Sequence, residues 1–178
     1  MSTIGWIHTA CAVAALLAGA AVLLRPKGTP THRRLGWLYV GSMAALNLTA
    51  LLIYRLTGRF GPFHAAAILS LATVVAGVLA AVRRRPAGRW VERHYYWMTY
   101  SYVGLLAAAA SEAATRLAAG VFWWAVLAAS AAVFAAGAVL VARRAPAALA
   151  PFRLRVEPQP SPIAGAERST PDLAERCG

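Results

Sequence analysis

Four histidines and one carboxylate are the side chains of this sequence best suited to chemistry: His8, His32, His64, His94 and Glu112. A neutral imidazole offers a lone pair to a metal and exchanges its proton near neutral pH. All five lie in or beside long apolar segments. An ionisable group there is costly and normally faces the interior of a helical bundle. His8, His64 and Glu112 fall at one depth, and two imidazoles with one carboxylate form a ligand set that suits iron, zinc or copper. His32 and His94 fall at the opposite depth. Paired imidazoles from alternate helices of a bundle would ligate haem b, so these two are the expected cofactor-binding pair and the other three the expected metal site.

Spacing sharpens the expectation for Glu112. At about 100° per residue, the step from His94 to Glu112 returns to the same azimuth, with Ser101 close to it. His94, Met98, Ser101, Leu105, Ala108 and Glu112 therefore predict one inward stripe. A plainer reading stands beside each residue. Interfacial histidines meet headgroups and water, as His32 among arginines would. Glu112 has Arg116 one turn later, and a Glu-to-Arg i,i+4 pair is sufficient use for it.

The elements that must position these residues follow from composition. Of 178 residues, 60% are hydrophobic and 13% charged, where a soluble domain needs roughly 25% charged. A membrane span needs about twenty apolar residues. Five segments meet that length: 4–24, 36–54, 63–82, 95–114 and 121–142. The predicted fold is all-α, an integral membrane bundle of five transmembrane helices over residues 1–142. No Lys or Arg precedes the first run, so it reads as a retained helix rather than a signal peptide. Pro30-Thr31 predicts a helix start with Thr31 as its cap. Residues 143–178, with recurring prolines and four of the six acids, predict a disordered cytoplasmic tail.

Basic residues punctuate the ends of the apolar runs, which favours anionic lipid headgroups over nucleic acid as the partner of the +12 net charge. One side collects Arg25, Lys27, Arg33, Arg34, Arg83, Arg84, Arg85, Arg89, Arg93, Arg143 and Arg144; the other holds Arg55, Arg59 and Arg116. The positive-inside rule then places the N-terminus outside and the C-terminus in the cytoplasm of a bacterial inner membrane. Aromatic belts account for Trp37 and Tyr39, for Tyr95 to Tyr102 and for Trp123-Trp124. Asn47 and Thr49 predict interhelical hydrogen bonds, and Ala12, Ala15 and Gly19 a close helix approach. A faint repeat links GWIHTA…LLRPKG…HRRLGW to GPFHAA…RRRPAG…RHYYWM, which predicts the first four helices as a tandem two-helix unit.

No Walker loop, GxSxG, HExxH or paired carboxylates occur, so phosphoryl transfer, serine hydrolysis and glycosidase chemistry have no support. Three readings remain. The first is a haem or metal site serving electron transfer with a redox partner or a homo-oligomer. The second is a small proton-coupled transporter in which Glu112 titrates, and the third a scaffold without chemistry of its own. Three stretches, THRRLGWLYVGSM, GPFHAAAILSLATVVAG and RHYYWMTYSYVGLLAAAASEAATR, resemble the predicted bacterial membrane proteins of domain-of-unknown-function family 2306. The most specific match is HRxxGxxY at His32, Arg33, Gly36 and Tyr39. The resemblance implies a polytopic membrane fold, with His8, His64, His94, Met98, Ser101 and Glu112 at the family's polar positions.

Overall fold

The computed structural model describes residues 2–53, 58–86, 88–117 and 120–153. Five helices run through them in order: α1 (Thr3–Leu24), α2 (Pro30–Leu51), α3 (Pro62–Arg83), α4 (Trp90–Leu117) and α5 (Phe122–Arg153), with no strand among the described residues. Their starts follow local chemistry. The Ser2 hydroxyl caps α1 by accepting from the Gly5 amide at 3.3 Å. In α2 the cap is Thr29, not Thr31: its hydroxyl accepts from the His32 amide at 3.1 Å and Pro30 takes the first helical position. Proline there lacks only an N–H that no intrahelical acceptor would meet, and its fixed φ suits the first turn. That leaves Thr31 inside the helix.

Adjacent helices pack as antiparallel neighbours, most closely α1 with α2, α4 with α5, and α3 with α4. Looser contacts of α2 with α3 and of α1 with α4 close the first four into a ring. Among the described residues α1 and α3 share no helix contact and occupy diagonal corners. The core is Ala15 and Ala18 of α1, Tyr39, Met43 and Leu46 of α2, Val74 of α3 and Leu105 of α4. Glycine sets the tightest approach. A Cβ on Gly19 would fall onto the ring of Tyr102, and one on Gly137 would meet Val103 Cγ1 at 2.6 Å.

The outer surface is apolar: Leu17, Leu69, Trp124 and Leu140 are exposed on it. Helices α1, α3 and α5 are long and apolar enough to cross a membrane. Helices α2 and α4 are more polar, and much of that polarity turns inward, with Tyr39, Asn47, Thr99, Ser101 and Ser111 all buried.

The largest difference from the expected boundaries is at the C-terminal helix. Helix α5 does not stop at Ala142 but runs through Arg143 and Pro146 to Arg153. Val141, Ala145 and Leu149 are buried at successive turns, so a continuing apolar stripe carries the helix past a proline that removes one ladder bond. The tail from residue 154, and the end of the second predicted span at 54, lie outside the described residues.

Candidate functional site: two histidine layers

The histidines divide between the two ends of the bundle, and three of them reach across to a neighbouring helix. On α1, His8 Nδ1 lies 3.1 Å from Thr49 Oγ1 of α2. The Thr49 hydroxyl proton is already given to the carbonyls of Ala45 and Leu46. Thr49 therefore accepts, Nδ1 carries the imidazole proton, and Nε2 keeps the lone pair. The carboxylate of Glu112 on α4 lies within electrostatic reach of this ring.

His94, on α4, lies with Nδ1 2.9 Å from the carbonyl of Gly77 on α3. A carbonyl only accepts, so this ring too is Nδ1–H with its lone pair on Nε2. His32, in the first turn of α2, approaches the carbonyl of Val22 on α1 and lies within electrostatic reach of Lys27 and His94. Its Nδ1 is buried without a hydrogen-bond partner among the described residues. Burial, then the Lys27 charge and the His94 ring, hold the His32 imidazole below its ordinary range. Lys27 caps α1 by donating to the carbonyls of Val22 at 3.0 Å, Leu23 at 2.6 Å and Arg25 at 3.1 Å. Burial pulls its ammonium down as well.

His64 is used differently. It is buried at the start of α3, stacks on Phe60 with ring centroids 5.2 Å apart, and accepts the Gly61 amide at Nδ1 across 3.2 Å. Gly61 has no side chain to cap α3, so the imidazole reaches back and satisfies the N-cap amide instead. With Nδ1 accepting, the neutral ring must carry its proton on Nε2.

These placements do not gather His8, His64 and Glu112 into one ligand set. Among the described residues no group of three or more His, Cys, Asp or Glu could hold a metal ion. Three physical reasons agree. Helices α1 and α3 are diagonal. Ligation through His64 Nε2 would turn Nδ1–H against the Gly61 N–H, donor facing donor. Glu112, with its side chain 67% exposed, accepts from both Nε and Nη2 of Arg116.

The inward stripe on α4 therefore holds only in part. Ser101 and Leu105 are buried, but Ala108 and Glu112 are exposed, and Ser111 is the buried residue at that level. At ~1.5 Å per residue the 28-residue α4 is about 42 Å long. Glu112 lies in its last two turns, exposed beside Arg116.

Several polar links escape a reading by composition. Tyr39 Oη and Ser101 Oγ are 2.9 Å apart, tying α2 to α4, and Tyr102 Oη donates to the Leu16 carbonyl at 3.2 Å. Ser111 and Ser130 pair their hydroxyls at 2.9 Å between α4 and α5. Tyr39 belongs in sequence to an aromatic belt, yet it is 2% exposed while Trp37 is 61% exposed. Two residues along a helix are about 200° around it, and that periodicity is the signal that separates them.

An apolar exterior, polar side chains gathered inside and helices long and apolar enough to span define an all-helical polytopic membrane protein. The chain belongs to the family described as predicted membrane protein, DUF2306, which it matches over residues 5–149. No curated protein and no solved structure matches it.

Proposed function

We propose that all five helices cross a bacterial inner membrane, N-terminus outside, and that the first four form two copies of one hairpin acting as a small proton-coupled carrier. The polar side chains of α2 and α4 that turn inward make hydrogen bonds within the bundle, which lets less apolar helices reside in lipid. The pairing of α1 with α2 and of α3 with α4 is the arrangement a tandem repeat requires. In each pair the second histidine turns its ring to a carbonyl of the preceding helix, His32 to Val22 and His94 to Gly77.

One observation carries the reading: at both ends, ionisable groups of the two hairpins lie within electrostatic reach of each other and respond oppositely to a proton. At one end His32 lies within electrostatic reach of His94 and of Lys27. At the other, His8 lies within electrostatic reach of Glu112, which pairs with Arg116. Protonating the imidazoles makes the first contact repulsive and the second attractive. Proton uptake would thus open the inner end and close the outer one, the motion that alternating access between repeats needs.

Spin labels at Arg34→Cys and Arg89→Cys, in a Cys11→Ser, Cys177→Ser background in lipid nanodiscs, test it. The inter-label distance should lengthen between pH 8 and pH 5, and His32→Gln with His94→Gln should remove the change. A distance that ignores pH in the parent chain would overturn the reading.

A further inference from the structure

The ends of α3 and α4 that flank the RRRPAGRWVER turn part around a half-open groove of about 680 Å³. Three guanidinium groups line it: Arg83 in the last turn of α3, Arg85 in the turn and Arg93 in the first turn of α4. Below them the wall is apolar, formed chiefly by Leu79, Ala80 and Trp97. Between Arg83 and Tyr102 the sequence holds a single acid, Glu92, so the mouth of the groove is strongly cationic.

A guanidinium presents a planar fork that matches a phosphate, and three around one mouth favour a phosphate over a carboxylate. The wall adds the second half of the specificity. Helix α3 is 22 residues, about 33 Å, so Arg83 at its end sits at headgroup level when the helix spans the ~30 Å hydrocarbon layer. Leu79 and Ala80 then lie a turn deeper, where acyl chains begin. A small soluble anion would gain nothing from that wall, whereas an amphiphile uses both parts.

We propose that this groove seats one anionic glycerophospholipid, its phosphate among Arg83, Arg85 and Arg93 and one acyl chain along Leu79, Ala80 and Trp97. The site rests on α3 and α4 crossing the membrane and is independent of the proton-coupled reading, whose test uses neither the groove residues nor lipid selectivity.

Brominated-chain phosphatidylglycerol and brominated-chain phosphatidylcholine, titrated onto the full chain in detergent, provide the test. Subtracting the quenching of Trp97→Phe from that of the parent isolates Trp97. Phosphatidylglycerol should quench this component at far lower concentration than phosphatidylcholine. The triple variant Arg83→Gln, Arg85→Gln, Arg93→Gln should lose on the order of a hundredfold in apparent affinity, about fivefold for each arginine. A control with equal charge loss, Arg33→Gln, Arg34→Gln, Arg143→Gln, should retain it. Equal loss in both triples would reduce the effect to a general surface field and overturn the site. Competition by millimolar glycerol 3-phosphate would assign the groove to a soluble phosphate and overturn it as well. Native mass spectrometry of the parent and the groove triple gives a second readout that does not depend on Trp97→Phe packing: retention of phosphatidylglycerol by both would equally refute the proposal.

Discussion

His64 shows how a residue type that promises ligation can be committed to the backbone. Its ring supplies the acceptor that Gly61 lacks at the start of α3, and the side chain is buried. Replacing it with alanine removes a cap and opens a small cavity, a loss of about 1–2 kcal/mol. Asparagine keeps an acceptor of similar reach, so His64→Asn should unfold nearer to the parent than His64→Ala does, measured by reversible unfolding in mixed micelles. His32 carries the complementary prediction. Burial and its cationic neighbours favour the neutral ring, so folded His32 should titrate below 6.5, the value of a free imidazole. The unfolded chain binds that proton at higher pH. The stability this ring contributes is therefore complete above about pH 6.5 and declines as pH falls through 6.5 toward the folded value. Ring nitrogen shifts of labelled His32 followed by NMR from pH 8 to 4 measure it directly, and a midpoint at or above 6.5 would contradict the burial argument.

Between α4 and α5 the contact depends on a small residue and a pair of hydroxyls. Gly137 lies so close to Val103 that even a methyl group overlaps it, which makes Gly137→Ala an overpacking change costing about 1–3 kcal/mol. Val103→Ala removes the obstructing methyls, so the double variant should recover much of that loss. Recovery in a double-mutant cycle would establish the clash as the cause, and strict additivity would exclude it. The Ser111–Ser130 pair should show a much smaller coupling, about 0.6 kcal/mol, typical of hydrogen bonds between membrane helices. Packing rather than hydrogen bonding then holds α5 to the ring. That is consistent with its largely apolar surface, where Trp124 and Leu140 face outward.

Considered whole, the molecule divides into what hydropathy reveals and what only packing decides. The five helices are legible because each apolar run is long enough to need backbone satisfaction within itself. The close approach predicted at Gly19 is met by Tyr102. Azimuth was not transferable along α4: the stripe that is inward at Ser101 and Leu105 is exposed at Glu112, where Ser111 bonds α5 instead. Which face is inward depends on which helix lies alongside, and no single-helix projection contains that. The same limit hid the tautomers of His8, His94 and His64, since those imidazole protons are fixed by an acceptor on another helix or by the amide of a cap.

Orientation depends on the whole chain because it is a sum over loops. Arg25, Lys27, Arg33, Arg34 and the arginines from Arg83 to Arg93 lie at one end of the bundle, against Arg59 and Arg116 at the other among the described residues. Moving so many charges outward against the membrane potential is unfavourable, at about 2.3 kcal/mol per charge per 100 mV. In a Cys11→Ser, Cys177→Ser background, Thr3→Cys and Val121→Cys should react with a membrane-impermeant maleimide in intact spheroplasts. Thr31→Cys should react only after lysis. All three positions lie on exposed helix ends or turns, so lack of reaction reports sidedness rather than burial. Labelling of Thr31→Cys alone would invert the bundle and bring the His32–His94 end to the outer face. External acid would then act first on the repulsive contact instead of on His8 and Glu112, so the direction of any proton coupling depends on this result.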